Sequence, residues 1–291
     1  MDVHLVDGTY ELFRHHFAVP SQRDLDGMEI AATRGVLGSI LSMLEGGATH
    51  VGVATDHVVE SFRNDLWPGY KTSAGMDPEL LAQFPVLEDA LRALGVGVWA
   101  MVELEADDAM ASAATVGAAD TRVDQVIICT PDKDLGQCVV GHRVVQLDRR
   151  SGTVRDEAGV IEKFGVPPGS IPDWLALVGD SADGFPGLPG WGAKSAATVL
   201  AHYLHVEAIP ALAKDWDVDV RGAVKLATTL AEHPEEAALF KLLATLRDDA
   251  GVGAVDDWRW TGPAAGFDTW CERLGAPRMV DRAERLAASR S

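Results

Sequence analysis

The sequence predicts an α/β fold, with a mostly parallel central sheet flanked by helices and a C-terminal all-helical region after it. Three observations carry this expectation. Up to residue 156, short apolar runs alternate with helical patterns, the order that winds a parallel sheet covered on both faces. From residue 157 onward only helical patterns remain, so the chain is divided into 1–156 and 157–291. Apolar residues make up 47% of the 291, enough for a large core in one big domain or two unequal ones.

The elements follow in order. Residues 3–6 are an apolar run ending at Asp7-Gly8, which predicts a buried strand with a carboxylate at its C-terminal end. Helical patterns cover 10–17 and 30–44, and a second strand over 51–55 ends at Asp56. Residues 60–79 form a polar excursion bearing Pro and Gly, with Arg63, Trp67, Tyr70 and Lys71. An amphipathic helix over 80–94 leads to a strand over 96–102, and Glu105-Ala106-Asp107-Asp108 opens a small-residue helix to 119. A strand over 125–130 is followed by Pro131-Asp132-Lys133-Asp134, and a short strand over 144–147 by a turn at 149–152. Helices are expected over 157–164, 172–178, 193–204, 221–233, 235–247 and 280–288, with a Trp-rich stretch (Trp258, Trp260, Trp270) before the last.

In parallel sheets ligands bind beyond the carboxyl ends of the strands. Here the strand ends or following loops carry Asp7, Asp56, Glu105 with Asp107 and Asp108, and Asp132 with Asp134. Each alone reads as a turn Asp or a helix N-cap. Together on one rim they repel one another unless cations compensate, and hard oxygen ligands suit magnesium or manganese. A further stretch, 179–196, places Asp180 and Asp183 three residues apart and then a Gly/Pro turn that runs into a helix. A helix N-terminus fed by such a loop offers backbone N–H groups to a phosphate. A cation-binding half beside a phosphate-binding half points to chemistry on a phosphate ester. The alternative is a plain helix–turn–helix corner with solvated Asp side chains. A nucleotide-binding P-loop is disfavoured because Ala193 separates Gly192 from Lys194 and no strand precedes the loop.

Bulk properties narrow the classes. No apolar run reaches about 18 residues, so no membrane span is expected. No secretory signal is visible at Met1-Asp2-Val3-His4. Three cysteines, Cys129, Cys138 and Cys271, are expected as free thiols in a cytoplasmic protein, without a zinc pattern. His202 and His205 lack a third ligand and read as ordinary surface or partly packed residues. The net charge of −19 opposes nucleic-acid binding at face value. Carboxylates that hold divalent metals soften that objection, and so do a few local cations and backbone amides. The expected affinity is modest and salt-sensitive.

With these residues in hand, the chain resembles the bacterial 5′→3′ exonuclease and flap endonuclease family, the 5′-nuclease domain of DNA polymerase I, over roughly residues 2–250. Asp7 in Val-Asp-Gly, Asp56, the Glu-Ala-Asp-Asp of 105–108, the Asp-Lys-Asp of 132–134 and the Gly-Asp-x-x-Asp of 179–183 match its acidic motifs in consistent order. Residues 187–196 look like its helix-three-turn-helix, near 179–204, and 240–247 like its closing helix. The resemblance implies a PIN-like core with a helical arch around 60–80, and, with no polymerase region following, a standalone form acting as a monomer on DNA ends, flaps and duplex junctions for repair or primer removal. It also implies two Mg2+ or Mn2+ ions about 4 Å apart. One would lie with Asp7, Asp56, Glu105, Asp107 and Asp132, the other with Asp108, Asp134, Asp180 and Asp183. Asp7, Asp132 and Lys71 would be catalytic, Lys71 approaching the scissile phosphate. DNA would be gripped by Gly190, Trp191, Gly192, Lys194 and Ser195, where some relatives hold K+, and by Arg14, Arg63, Tyr70 and Lys71.

The sequence departs from that pattern in three places. Thr72-Ser73-Ala74-Gly75 follows Lys71 where the family has an Arg, so Arg63 or Arg14 would have to substitute. Trp191 stands where Ile is usual, and Gly184 where Asn is usual. Two rivals to a nuclease follow. One is a relative that binds branched DNA without efficient cleavage. The other is a haloacid-dehalogenase-like phosphatase, for which Leu5 stands where the nucleophilic Asp is needed.

Overall fold

A computed structural model describes residues 1–290; Ser291 lies outside the described residues. In chain order the regular elements are β1 (Asp2–Asp7), α1 (Gly8–Ala18), α2 (Ala31–Glu45), β2 (His50–Asp56), α3 (Phe62–Leu66), α4 (Pro78–Leu81) and α5 (Gln83–Leu94). They continue with β3 (Gly97–Met101), α6 (Ala106–Ala119), β4 (Gln125–Cys129), β5 (Val144–Asp148), β6 (Thr153–Arg155), α7 (Glu157–Phe164) and α8 (Ile171–Val178). The chain ends with α9 (Ala193–Tyr203), α10 (Ala223–Glu232), α11 (Pro234–Ala244), α12 (Phe267–Arg273) and α13 (Arg278–Arg290). No helix among the described residues is long and apolar enough to cross a membrane.

The chain forms two compact units. Among the described residues, the first takes 1–59, 73–130 and 248–290. Its strands run parallel in the order β3-β2-β1-β4. Val3, Leu5, Val6, Val51, Val53, Val126 and Ile128 are all buried, as strands covered on both faces require. In register, Asp7 lies beside Ala54 and Val6 beside Cys129, so β1 and β4 end side by side and β2 runs on to Asp56. Gly8 lets α1 start directly after β1: a Cβ there would lie 2.8 Å from the Ala54 carbonyl oxygen. The expected helix over 80–94 is two helices, because Asp77 caps α4 (its Oδ1 accepts from the Glu79 amide at 2.9 Å) and Pro78 fixes the first turn. The Trp-rich stretch packs into this unit. Trp258 donates to the Val252 carbonyl and Trp260 to the Leu94 carbonyl, each at 2.8 Å.

The second unit takes Glu60–Thr72 and Pro131–Arg247. β5 and β6 pair antiparallel, Gln146 beside Arg155 and Asp148 beside Thr153, and Gly152 closes the turn with a φ of 71°. Its core gathers Val160, Phe164, Ile171, Leu175, Phe185 and Phe240 from α7, α8, α11 and the loop after α8. Residues 60–72 of the excursion contribute one short helix, α3, to this unit. Ser61 and Asn64 close a capping box at the start of α3, the Asn64 side chain accepting from the Ser61 amide at 2.8 Å. Trp67 then meets Phe240 edge-on at 5.4 Å, and Phe185 stacks on Phe240 at 5.7 Å.

Candidate metal centre and nucleic-acid interface

In the first unit the carboxylates sit where strands end and helices begin. Asp7 is the last residue of β1 and caps α1: Oδ1 accepts from the Tyr10 amide at 2.7 Å and Oδ2 from the Thr130 hydroxyl at 2.9 Å. Asp56 ends β2, and its Oδ1 accepts from the Ala106 amide at 2.8 Å, which fixes the start of α6 at the end of that strand. Glu105 is the N-cap of α6, and Asp108, one turn on and fully buried, accepts from the Glu105 amide at 3.0 Å. Asp107 in that turn is half-buried. The helix start thus has acid in its first turn, where the positive end of the macrodipole favours negative charge. These bonds hold the carboxylates at the strand ends and helix starts, and both oxygens of Asp7 are engaged.

In the second unit three expected ligands converge. Asp134, Asp180 and Asp183 each place an oxygen within 4.8 Å of the others. Asp132 is exposed, and its Oδ1 accepts from the Asp134 amide at 3.1 Å, turning the loop so that Asp134 faces inward. Asp134 is 4% exposed, and its Oδ1 has no hydrogen-bond partner. Burial first, then the charges of Asp132, Asp183 and Asp180, push its carboxyl well above the usual range, against the opposing pull of Lys133. A buried anionic oxygen with neighbours of like charge and no donor fits a hard divalent cation.

Asp180 and Asp183 are held by a tight turn after α8. The Asp180 amide donates to the Phe185 carbonyl at 2.8 Å, and the Phe185 amide returns a bond to the Asp180 carbonyl at 3.0 Å. Gly184, in place of the usual Asn, has a φ of 84°, and a Cβ on it would lie 2.1 Å from the Gly69 carbonyl oxygen. That close approach excludes any side chain, and it brings the residues around Lys71 onto the turn. Trp67 donates its indole N–H to the Gly184 carbonyl at 3.0 Å, and the Lys71 amide donates to the Asp183 carbonyl at 3.0 Å. Two ammonium groups reach the acids: Lys71 Nζ lies 3.0 Å from Asp183 Oδ1, and Lys133 Nζ 2.7 Å from Asp180 Oδ2. Burial alone lowers the Lys133 ammonium, but the hydrogen bond and charge of Asp180, with Asp134 and Asp132, outweigh it and raise it.

The expected DNA contacts divide by burial. Gly190, Gly192, Lys194 and Ser195 line an open groove of about 660 Å³ together with Thr198 and Arg221. Gly192 is the N-cap of α9, and its amide donates to the Ser195 hydroxyl at 3.1 Å. Trp191, by contrast, is buried in the core, tilted against Trp216 at 6.2 Å, rather than lining the groove. Tyr70 is buried in the same core. Arg63 does not substitute for a missing cation. It is 1% exposed, and its guanidinium donates to the carbonyls of Leu243 at 2.8 Å and Thr245 at 3.1 Å, capping the C-terminus of α11. Arg14 is partly exposed and pairs with Glu11 one turn back.

One cation of the groove and one near Gly190 at its edge were not anticipated. Arg221 lines the groove, and Lys225 on α10 brings its Cε 3.7 Å from where a Cβ on Gly190 would be. The signal available was a pair of basic residues flanking Gly222, whose φ of 81° starts α10.

Comparison with known proteins agrees with this architecture. Residues 2–165 match the family described as 5′-3′ exonuclease, N-terminal resolvase-like domain. Residues 166–265 match the 5′-3′ exonuclease, C-terminal SAM fold. The chain is 34% identical over 268 residues to DNA polymerase I of Pseudomonas aeruginosa, covering 89% of this chain and 28% of that protein. It is 32% identical over 291 residues to DNA polymerase I of Bacillus caldotenax, covering 94% and 32%. The chain therefore spans less than a third of the length of these relatives. Among solved structures, bacteriophage T5 5′-exonuclease with bound zinc superposes with a TM-score of 0.65 at 18% identity, over 99% of this chain and 98% of that one. Flap endonuclease-1 from Methanococcus jannaschii gives 0.62 at 15% identity, over 100% and 93%. At these identities the structural likeness carries the fold.

Proposed function

Because the chain belongs to the 5′-3′ exonuclease family, we propose that it is a divalent-metal-dependent nuclease that hydrolyses DNA phosphodiesters at 5′ ends and flaps, in repair or primer removal. The observation that carries this reading is the inward-facing Asp134, with an oxygen that lacks a donor, beside Asp180 and Asp183. That group would hold one Mg2+ or Mn2+. Asp7, Asp56, Glu105 and Asp107 would hold a second within the first unit, with Asp108 as the brace of α6 and Asp132 as the brace of the Asp134 loop. Divalent ions held by these residues would supply activation of a water and neutralisation of charge on the departing oxygen.

The chain's own groups supply the rest. Lys71 is the one cation of residues 60–79 that is not buried, and its ammonium is the donor available to a phosphate oxygen beside Asp183. The N-terminus of α9 presents backbone amides to duplex phosphates, with Lys194, Arg221 and Lys225 adding charge. A K+ ion on the carbonyls of that turn belongs to the same proposal.

Cleavage of a labelled 5′-flap in Mg2+ or Mn2+ against EDTA tests the function. The Asp132→Asn, Asp134→Asn double variant should keep its circular dichroism and lose cleavage. Undiminished cutting would move the site elsewhere. One observation favours a second reading, binding without efficient cleavage: Arg63 is spent inside the fold, so the stretch after β2 offers one phosphate-facing cation. Product within minutes at low enzyme removes that reading. Leu5 is aliphatic where a carboxylate is needed, which leaves the phosphatase reading without a nucleophile.

A further inference from the structure

We propose that Lys133 and Lys71 are resident counter-cations of the Asp134–Asp180–Asp183 group, expelled when a divalent ion enters, and that Lys133 thereby sets the metal affinity of this site. The inference rests on the reading of that group as a cation site.

The oxygens of Asp180 are both engaged. Oδ1 accepts from the Ala182 amide at 2.9 Å, and Oδ2 meets Lys133 Nζ at 2.7 Å. Asp183 Oδ1 meets Lys71 Nζ at 3.0 Å. A divalent ion takes six or more oxygens at short range, from carboxylates and water, and the oxygens that the lysines now face belong to carboxylates within its reach. The ligand atoms lie within 4.8 Å of one another, and an ammonium kept 2.7 Å from Asp180 or 3.0 Å from Asp183 would repel an ion bound to the same carboxylates. The two compete for the same carboxylates, so binding of the ion disfavours the ammonium contacts.

The exchange balances in charge. Two ammonium groups leave and one doubly charged ion arrives. The lysines are also placed to leave and return. Lys133 lies between Asp132 and Asp134 in sequence and cannot drift far from the group. Lys71 is tied through its backbone, its amide to Asp183 and its carbonyl accepting from Asn64 Nδ2 at 3.0 Å, so only its side chain has to swing. Metal loading would then turn Lys71 from a partner of Asp183 into a donor for phosphate. An empty group would keep it withdrawn.

The test is Mn2+ binding by calorimetry on the full chain, with melting followed in EDTA and in saturating Mn2+. Lys133→Met should bind Mn2+ about tenfold tighter than the parent, the scale of losing one charge-assisted hydrogen bond that competes with the ion. It should melt lower in EDTA, with the gap closed by Mn2+. Lys71→Met should shift affinity in the same direction and serves if Lys133→Met does not fold. Asp134→Asn is the control that should lose binding. If the parent binds, Asp134→Asn does not, and neither lysine variant binds tighter, the counter-cation role fails while the metal site stands. If the parent does not bind Mn2+ at all, both fail together.

Discussion

Asp134→Asn should stabilise the metal-free protein while destroying its response to metal. The fold buries this carboxylate with an oxygen that has no donor, and surrounds it with Asp132, Asp180 and Asp183. Its carboxyl is raised well above the ordinary value of 3.8, chiefly by burial and then by those charges. The native state therefore holds the proton more firmly than the unfolded chain does. That contribution to stability is whole at low pH, below about 4, and is lost as pH rises through the raised value. Near neutrality Asn should recover about 1–3 kcal/mol, the scale of an unsatisfied buried polar group. At about 2–4 °C per kcal/mol for a chain of this size, the midpoint rises by roughly 2 to 12 °C. The assay is scanning calorimetry in EDTA from pH 4 to 8, read as the difference between variant and parent, and repeated in Mn2+. The difference should grow with pH in EDTA and reverse in Mn2+, where the parent alone gains by ligand binding. A variant less stable than the parent in EDTA at pH 7, or a difference flat across pH, would refute the argument.

Two other perturbations separate structural from binding roles. Arg63→Ala removes donors from the Leu243 and Thr245 carbonyls and leaves a cavity, so urea unfolding should show a loss of about 3 kcal/mol. A loss under about 0.5 kcal/mol with weakened flap binding would return this residue to the DNA surface. Lys194→Ala with Lys225→Ala should weaken duplex affinity evenly across sequences and reduce the slope of log affinity against log salt by about 2. An unchanged slope would place the phosphates elsewhere.

The α/β part of the fold was legible because its strands are buried on both faces. Runs such as Val3-His4-Leu5-Val6 leave little alternative, and each ends at an acid or is followed by one in the next loop. What was missed is short. α3 has five residues, β6 has three and α12 has seven, too few for a helical or alternating period to show. The break between α4 and α5 was written in Asp77-Pro78, a cap and a first-turn proline, but the apolar pattern runs across it.

The chemistry of the candidate site was legible as residue types and not as states. Asp132 and Asp134 are two positions apart in one loop and look alike in sequence, yet one is exposed and the other carries an oxygen without a donor. Burial decides which of them can hold a cation tightly, and burial is set by the packing of the Asp134 loop, not by its sequence alone. The cations show the same divergence. Arg63 and Lys71 lie in one polar stretch, and either could face a phosphate. The guanidinium has five donors in a rigid fork, which can cap helix carbonyls inside the core; the ammonium is a compact charge that pairs with a carboxylate oxygen at the rim. Their geometry assigns Arg63 to the fold and Lys71 to the acids. A turn with Trp191 in place of Ile is read the same way, since an indole packed on Trp216 is spent on the core and leaves the groove to the glycines and lysines around it.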